Sequence, residues 1–233
     1  RALRAAMEDL KKVEPDTAAN LGDSLSAPLE AAVTADVRIS LAWQTIRGNH
    51  DRQLLDRPAD KMSQSDQAAL SELKNHHKAW LANLEPTATV EDVLLCHGAP
   101  DNDLVYLTET VAPDGRVRVA TRGEVSQRLR GANAPVVMCA HSHVPRLIGL
   151  DDARVVVNPG SVGLPAYTDA EPEHSMENGA PHARYAVLER RKVGEPWKVS
   201  FRVVAYDWDA AAARAAEKGR EDWARWVRTG YAG

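Results

Sequence analysis

The sequence has 233 residues, 44% of them hydrophobic and 27% charged, and a net charge of −4. Such a chain is long enough for one sizeable α/β domain, expected over residues 1–233. The acidic balance argues against a nucleic-acid-binding surface, and no apolar run approaches the ~18 residues of a membrane span.

Residues 1–13 carry Leu3, Met7 and Leu10 at helical spacing, and Pro15 ends that pattern. The opening is charged and does not read as a secretory leader. Residues 17–21 form a short apolar run that turns at Gly22-Asp23 and predict a buried strand. A helix is expected over 29–36. A second short strand, 43–46, runs into Arg47-Gly48-Asn49-His50-Asp51. Residues 66–84 place Ala69, Leu70, Leu73, Trp80, Leu81 and Leu84 on one side and predict one amphipathic helix, with His76 and His77 facing solvent. Strands follow at 93–96, 136–140 and 155–157, ending at His97-Gly98, at His141-Ser142-His143 and at Asn158-Pro159-Gly160-Ser161. A short helix is expected over 124–130. The stretch 166–182 is rich in Pro, Glu, His and Gly and reads as a long surface loop, with His174 and His182 as surface residues. Residues 184–190 and 198–206 predict paired strands turning near Gly194. The tail from Asp209 is helical, and Trp208, Trp223 and Trp226 pin it to the body or face a partner subunit.

Cys96 and Cys139 each end an apolar run and read as small buried strand residues, not as a disulfide. This fits a reducing, cytoplasmic setting.

Four strand-like segments therefore end in possible metal ligands: Asp23, Asn49 with His50, His97, and His141 with His143. Ligands gather at the carboxyl ends of strands in α/β sheets, so residues scattered along the chain can meet at one edge. The mixed nitrogen and oxygen set suits Mn, Fe, Zn or Ni. Gly22, Gly48 and Gly98 flank these positions, where the chain turns sharply off a strand.

Taken in order, Gly22-Asp23, Gly48-Asn49-His50-Asp51, His97-Gly98, His141-Ser142-His143 and Asn158-Pro159-Gly160-Ser161-Val162-Gly163 resemble the motifs of the calcineurin-like metallophosphoesterases. Among these, the small bacterial phosphodiesterases of the YfcE type are the most similar. The resemblance implies an α/β/β/α sandwich, two mixed β-sheets packed face to face with helices outside. It implies hydrolysis of a phosphomonoester or phosphodiester at a centre of two divalent ions, manganese foremost, with water as the nucleophile. Asp23 would bridge the ions, Asn49, His97 and His141 would complete the second site, and His143 would bind the first. His50 would protonate the leaving oxygen, and Asp51 would hold its imidazole.

The family opens with an Asp-x-His motif on its first strand, and this sequence begins at Arg1, about where the following helix starts. The expectation is either a longer polypeptide or a first metal site impaired to Asp23 and His143, with a central strand missing and its neighbours' edges exposed. Ala140 also stands where the family has glycine. Two rivals to the two-metal hydrolase stay open: a scaffold on the same fold, and a weak single-metal hydrolase.

Arg47, Arg52 and Arg122 are candidates to steer a phosphate. Gly160 and Ser161 could let the chain pass close to a bound anion, and His182 could line the substrate pocket. Asp101 and Asp103 read as turn residues. The expected partner is a small phosphate ester. No nucleic acid or membrane partner is evident, and a homodimer is compatible with the sequence.

Overall fold

The structure, a computed structural model, describes residues 1–41 and 43–233. The chain opens with helix α1 (Ala2–Leu10), strand β1 (Ala19–Asn20), α2 (Ala31–Ser40), β2 (Gln44–Thr45) and α3 (Asn49–Asp56). After a 3-10 turn come α4 (Gln64–Glu72) and α5 (Asn75–Ala82). The middle of the chain holds β3 (Thr87–Val90), β4 (Val93–Cys96), β5 (Glu109–Val111), β6 (Val117–Val119), α6 (Arg122–Arg128), β7 (Val136–Met138), β8 (Arg146–Gly149) and β9 (Val155–Asn158). It ends with β10 (Ala166–Ala170), β11 (Glu173–Glu177), β12 (Ala183–Glu189), β13 (Lys198–Val204), α7 (Trp208–Glu217) and α8 (Glu221–Thr229). No described helix is long and apolar enough to cross a membrane.

The organising element is a five-stranded sheet in the order β3-β4-β7-β9-β8. Its three central strands run parallel and its two edge strands antiparallel. Parallel strands covered on both faces need continuous apolar runs, which Val93-Leu94-Leu95-Cys96 and Val136-Val137-Met138 supply. Period-two alternation then divides the side chains. Cys96, Val137, Cys139 and Val156 pack with Val125 and Leu129 of the α6 layer on one face. Val93, Leu95, Val136, Met138 and Val157 pack with Leu21 and Ile46 on the other.

That second face is covered by two separate pairs of strands. β1 and β2 pair in parallel, Ala19 against Gln44 and Asn20 against Thr45. β12 and β13 form an antiparallel hairpin from Ala183↔Val204 to Glu189↔Lys198, and Ala186, Leu188, Trp197 and Val199 press onto the sheet. β1–β2 and β12–β13 share no ladder. A cavity of about 1350 Å³ is walled by residues of β1, β12, α1 and the five-stranded sheet. Helix α1 is tied to the hairpin by Asp9, whose carboxylate accepts hydrogen bonds from the Tyr185 hydroxyl and the Arg202 guanidinium.

Two of the expected elements take a different form, and α3, β3, β5, β6 and β8 lie outside the expected ones. The amphipathic pattern over 66–84 is two helices, not one. Leu73 and Lys74 are extended between them, and the Lys74 N–H donates to His77 Nδ1 at 3.2 Å, starting a new helix. The pattern survives the break because Ala69, Leu73 and Leu81 still reach one core with Leu25, Ala35 and Leu54. His77 is consequently wholly buried, contrary to a solvent-facing position, while His76 is exposed.

The stretch 166–182 is largely a β-hairpin, registered from Ala166↔Glu177 to Ala170↔Glu173. Along β11, exposed Glu173, Ser175 and Glu177 alternate with buried His174 and Met176. A histidine on the buried face hid that alternation in the sequence.

At the C-terminus, Ala211, Ala212 and Ala215 of α7 leave room for Trp223, Trp226 and Val227 of α8 to bury against them. These tryptophans pin the tail to the body.

His77→Ala removes a wholly buried side chain and leaves the Lys74 N–H without its acceptor. It should destabilise the chain by ~2–3 kcal/mol in urea unfolding; an unchanged midpoint would mean that the break between α4 and α5 does not depend on His77.

Candidate metal centre

Each candidate ligand lies just beyond a strand, on the same edge of the molecule. Asp23 follows β1, Asn49 opens α3 after β2, His97 follows β4, and His141 and His143 follow β7. The β1 and β2 turns meet at Gly22 and Gly48. Gly22 has a φ of +92°, and a β-carbon there would collide with the Gly48 backbone. One at Gly48 would overlap the Asp23 carboxylate. Only glycine permits both the approach and the dihedral.

Asp51 sews these two turns together. Its buried carboxylate accepts hydrogen bonds from the backbone N–H groups of Asp23 (2.7 Å), Gly48 (3.0 Å) and Ser24 (3.1 Å). The structure therefore corrects the role expected for Asp51: it holds backbone, not the His50 imidazole. The imidazole partner is Asp66 from the first turn of α4, whose oxygens lie 3.0 and 3.1 Å from His50 Nδ1. Asp66 is itself buried and accepts from the Ser63 hydroxyl at 2.8 Å. With Nδ1–H directed to Asp66, His50 keeps Nε2 for the cavity. Burial opposes a charge on His50, but the carboxylates of Asp23 and Asp66 outweigh it and raise its pKa to about 9.

The centre of the site is His97. Its Nδ1–H donates to the Leu21 carbonyl at 2.6 Å, which makes Nε2 the lone-pair nitrogen. That nitrogen lies 3.0 Å from Asp23 Oδ2 and 3.0 Å from Asn49 Oδ1. Without a proton on Nε2, three electron-pair donors converge there, an arrangement that a cation stabilises. In the free chain a proton can serve: burial opposes it, but Asp23 prevails and the His97 pKa is raised. The donor set of carboxylate, amide oxygen and imidazole fits a divalent transition ion equally well.

His141 joins the group, since one donor atom each of Asp23, His97 and His141 lies within 4.8 Å of the others. His143 stands outside that group. Its Nδ1–H donates to the Leu164 carbonyl at 2.9 Å, leaving Nε2 free. Burial pushes the His141 pKa down to about 3 and the His143 pKa down to about 4, so both rings are neutral and hold lone pairs at neutral pH. For Asp23, burial favours the neutral acid, yet His97 and His50 hold its carboxyl far below the usual range.

Among the remaining sequence candidates, Gly160 and Ser161 line the cavity together with His50, His97, His141 and His143. Arg47 and His182 do not line it; the His182 ring packs on Trp208 at 5.1 Å between centroids. Arg52 forms a bidentate pair with Asp103, both bonds 2.7 Å, and Arg122 pairs with Asp151. Their charges already have partners. His174, expected at the surface, is buried with its Nε2 3.1 Å from the Tyr106 hydroxyl.

Sequence reasoning missed Asp66, Tyr106 and Tyr167. The only trace of Asp66 was the Ser63-x-x-Asp66 helix start, and nothing in that spacing points to His50. The Tyr106 ring stacks on His141 at 4.6 Å, and the Tyr167 ring meets His143 edge-on at 4.9 Å.

A second group, Asp36, His76 and His77, also has metal-compatible spacing. There the Lys74 N–H occupies His77 Nδ1, so His77 Nε2 carries the hydrogen and donates to Asp36 at 2.9 Å. That histidine has no free lone pair, and the group reads as a helix start tied to Asp36 by a hydrogen bond.

Residues 1–176 match the model of the calcineurin-like phosphoesterase superfamily domain. The chain belongs to the calcineurin-like phosphoesterase superfamily. A metallophosphoesterase from Sphaerobacter thermophilus is similar in fold over 99% of this chain and 94% of its own, with 21% identity and a TM-score of 0.76. A hypothetical protein from Pyrococcus horikoshii OT3 is similar over 100% of this chain and 94% of its own, with 17% identity and a TM-score of 0.74. No curated protein matches the chain significantly. Membership carries metal-dependent phosphoester hydrolysis as the general chemistry and divalent metal as the cofactor class.

Calorimetric titration of the protein with Mn²⁺ should show binding that His97→Ala weakens by more than ~100-fold. The same titration of His76→Ala should match the wild type. Weakening by His76→Ala instead would place the metal at the second group.

Proposed function

We propose that this protein hydrolyses phosphate esters, with a preference for diesters, using Asp23, Asn49, His97 and His141 to hold a divalent ion and His50 as the general acid. The observation that carries this reading is the convergence of Asp23 Oδ2 and Asn49 Oδ1 on the lone pair of His97 Nε2. The proposed metal is manganese, with iron, zinc or nickel as alternatives of the same donor preference. When bound, such an ion supplies Lewis-acid stabilisation of phosphoryl oxygens and eases deprotonation of water.

The chain's own residues supply the rest. Asp66 holds the His50 imidazole by Nδ1, so that Nε2–H faces the cavity and can protonate the departing alkoxide oxygen. Asp51 keeps the Asp23 and Gly48 turns in register, fixing the ligand spacing. The centre opens onto the cavity, whose lining includes His50, His97, His141 and His143 and through which a small phosphate ester could reach it.

The position of His143 bears on the metal count. It stands outside the group formed by Asp23, His97 and His141, where it can serve a second ion beside Asp23; one tightly bound ion per chain with slow turnover is the alternative. Metal analysis of the purified protein separates them: about one ion per chain supports the alternative, about two the binuclear centre.

On bis-p-nitrophenyl phosphate with added Mn²⁺, His50→Ala should lower kcat by ~10²–10⁴-fold. A wild-type chain without Mn²⁺-dependent turnover on diester or monoester substrates would contradict the hydrolase reading. Asp66→Asn should move the basic limb of the pH–rate profile to lower pH. The Asp66 carboxylate raises the His50 pKa, so without it the acid loses its proton earlier as pH rises. An unmoved limb would remove Asp66 from the mechanism.

A further inference from the structure

The turn that carries His141 and His143 is strained, and the residues that hold it come largely from the hairpin β10–β11. His141 and His143 both sit in the left-handed region, with φ of 62° each, a conformation rare for side chains larger than glycine. The Ser142 N–H folds back onto the Ala140 carbonyl at 2.7 Å. A turn of this kind persists only where its surroundings over-determine it.

Three side chains do so, each by donating to a carbonyl of the turn. Asn158, at the end of β9, donates to the Ala140 carbonyl at 2.7 Å and to the Ser142 hydroxyl at 3.0 Å. Tyr167 of β10 donates to the His141 carbonyl at 3.1 Å. Asn178, just after β11, donates to the His143 carbonyl at 2.9 Å. The rings are fixed as well: Tyr106 stacks on His141, and Tyr167 meets His143 edge-on.

A hydrogen-bond relay sets the direction of these phenols. His174 Nδ1–H donates to the Pro172 carbonyl at 2.6 Å, so its Nε2 accepts from the Tyr106 hydroxyl. The Tyr106 oxygen is thereby left as an acceptor 2.9 Å from the Tyr167 hydroxyl. The Tyr167 hydrogen therefore lies between two acceptors, the Tyr106 oxygen and the His141 carbonyl.

We propose that the hairpin β10–β11 is a clamp for the metal-binding turn, with Tyr167 and Asn178 as positioning residues that act through the backbone of His141 and His143. Both donate to backbone carbonyls of the turn and not to the ring nitrogens of the ligands. The proposal rests on the metal-centre reading above and adds the hairpin as the element that sets its ligand geometry. Outer partners of metal ligands govern affinity because they orient the ligands before the ion arrives.

The test is calorimetric titration with Mn²⁺ of the full chain and of Tyr167→Phe and Asn178→Ala, alongside the thermal midpoint of each without metal. Tyr167→Phe keeps the ring and removes only the donor. The clamp predicts that Mn²⁺ affinity falls about tenfold in each variant, while the metal-free midpoint stays within a few degrees of the wild type. A lowered metal-free midpoint with unchanged Mn²⁺ affinity would make the hairpin merely structural and overturn the proposal. If Tyr167→Phe does not fold, Asn178→Ala, at a half-buried position outside the strands, decides by the same two readings. A wild-type chain that binds no Mn²⁺ would overturn the metal-centre reading and the clamp with it. Wild-type binding that both variants retain overturns the clamp alone.

Discussion

The hydrogen bond from His97 Nδ1–H to the Leu21 carbonyl governs the chemistry of the site. It is a bond between the end of β4 and the end of β1, so it forms only when the two strands are in place. By taking one ring nitrogen as a donor, it makes the other a lone-pair nitrogen, aimed at two oxygens that can only accept. A buried cluster of acceptors is unfavourable without positive charge among them. The fold thus builds a local demand for a cation into the sheet edge itself, and the neutral rings of His141 and His143 stand beside it.

Such a cluster needs rigid support, because like-charged or lone-pair groups move apart when they can. Asp51 supplies much of it by gathering three backbone N–H groups from the turns at Asp23 and Gly48. Its burial beside Asp23 raises its pKa to about 6, the cost of placing two carboxyl groups close together. The backbone donors offset that cost. Support for the opposite side comes from Asn158, Tyr167 and Asn178 on the 140–143 turn. Both halves of the site are held by side chains that bond to backbone, a scheme that fixes ligand spacing without occupying the ligands' own atoms.

Much of this was legible in the sequence, for physical reasons. Short β-branched runs such as Val136-Val137-Met138 read as buried strands because parallel strands need apolar residues on both faces. A glycine and a polar residue directly after such a run, as at Gly22-Asp23 and Gly48-Asn49, marked the sheet edge where ligands gather. What stayed hidden depended on contacts between segments distant in sequence. Asp51 is adjacent to His50 and was the natural partner for it, yet the side chain of an adjacent residue points elsewhere, and Asp66 arrives from another helix. His77 and His174 looked exposed because histidine is polar, but each is buried with a hydrogen-bond partner that satisfies it. The hairpin at 166–177 was masked by its Glu and His content, and the break between α4 and α5 by a pattern that kept its phase across the interruption.

That Asp23 Oδ2 and Asn49 Oδ1 converge on His97 Nε2 to hold a divalent ion is tested most directly by crystallography with Mn²⁺ and data collected at the manganese absorption edge. An anomalous peak is expected among His97 Nε2, Asp23 Oδ2 and Asn49 Oδ1, with the His97 Nδ1 bond to Leu21 intact. An anomalous map with no peak there, or with its peak only at Asp36 and His76, would contradict it.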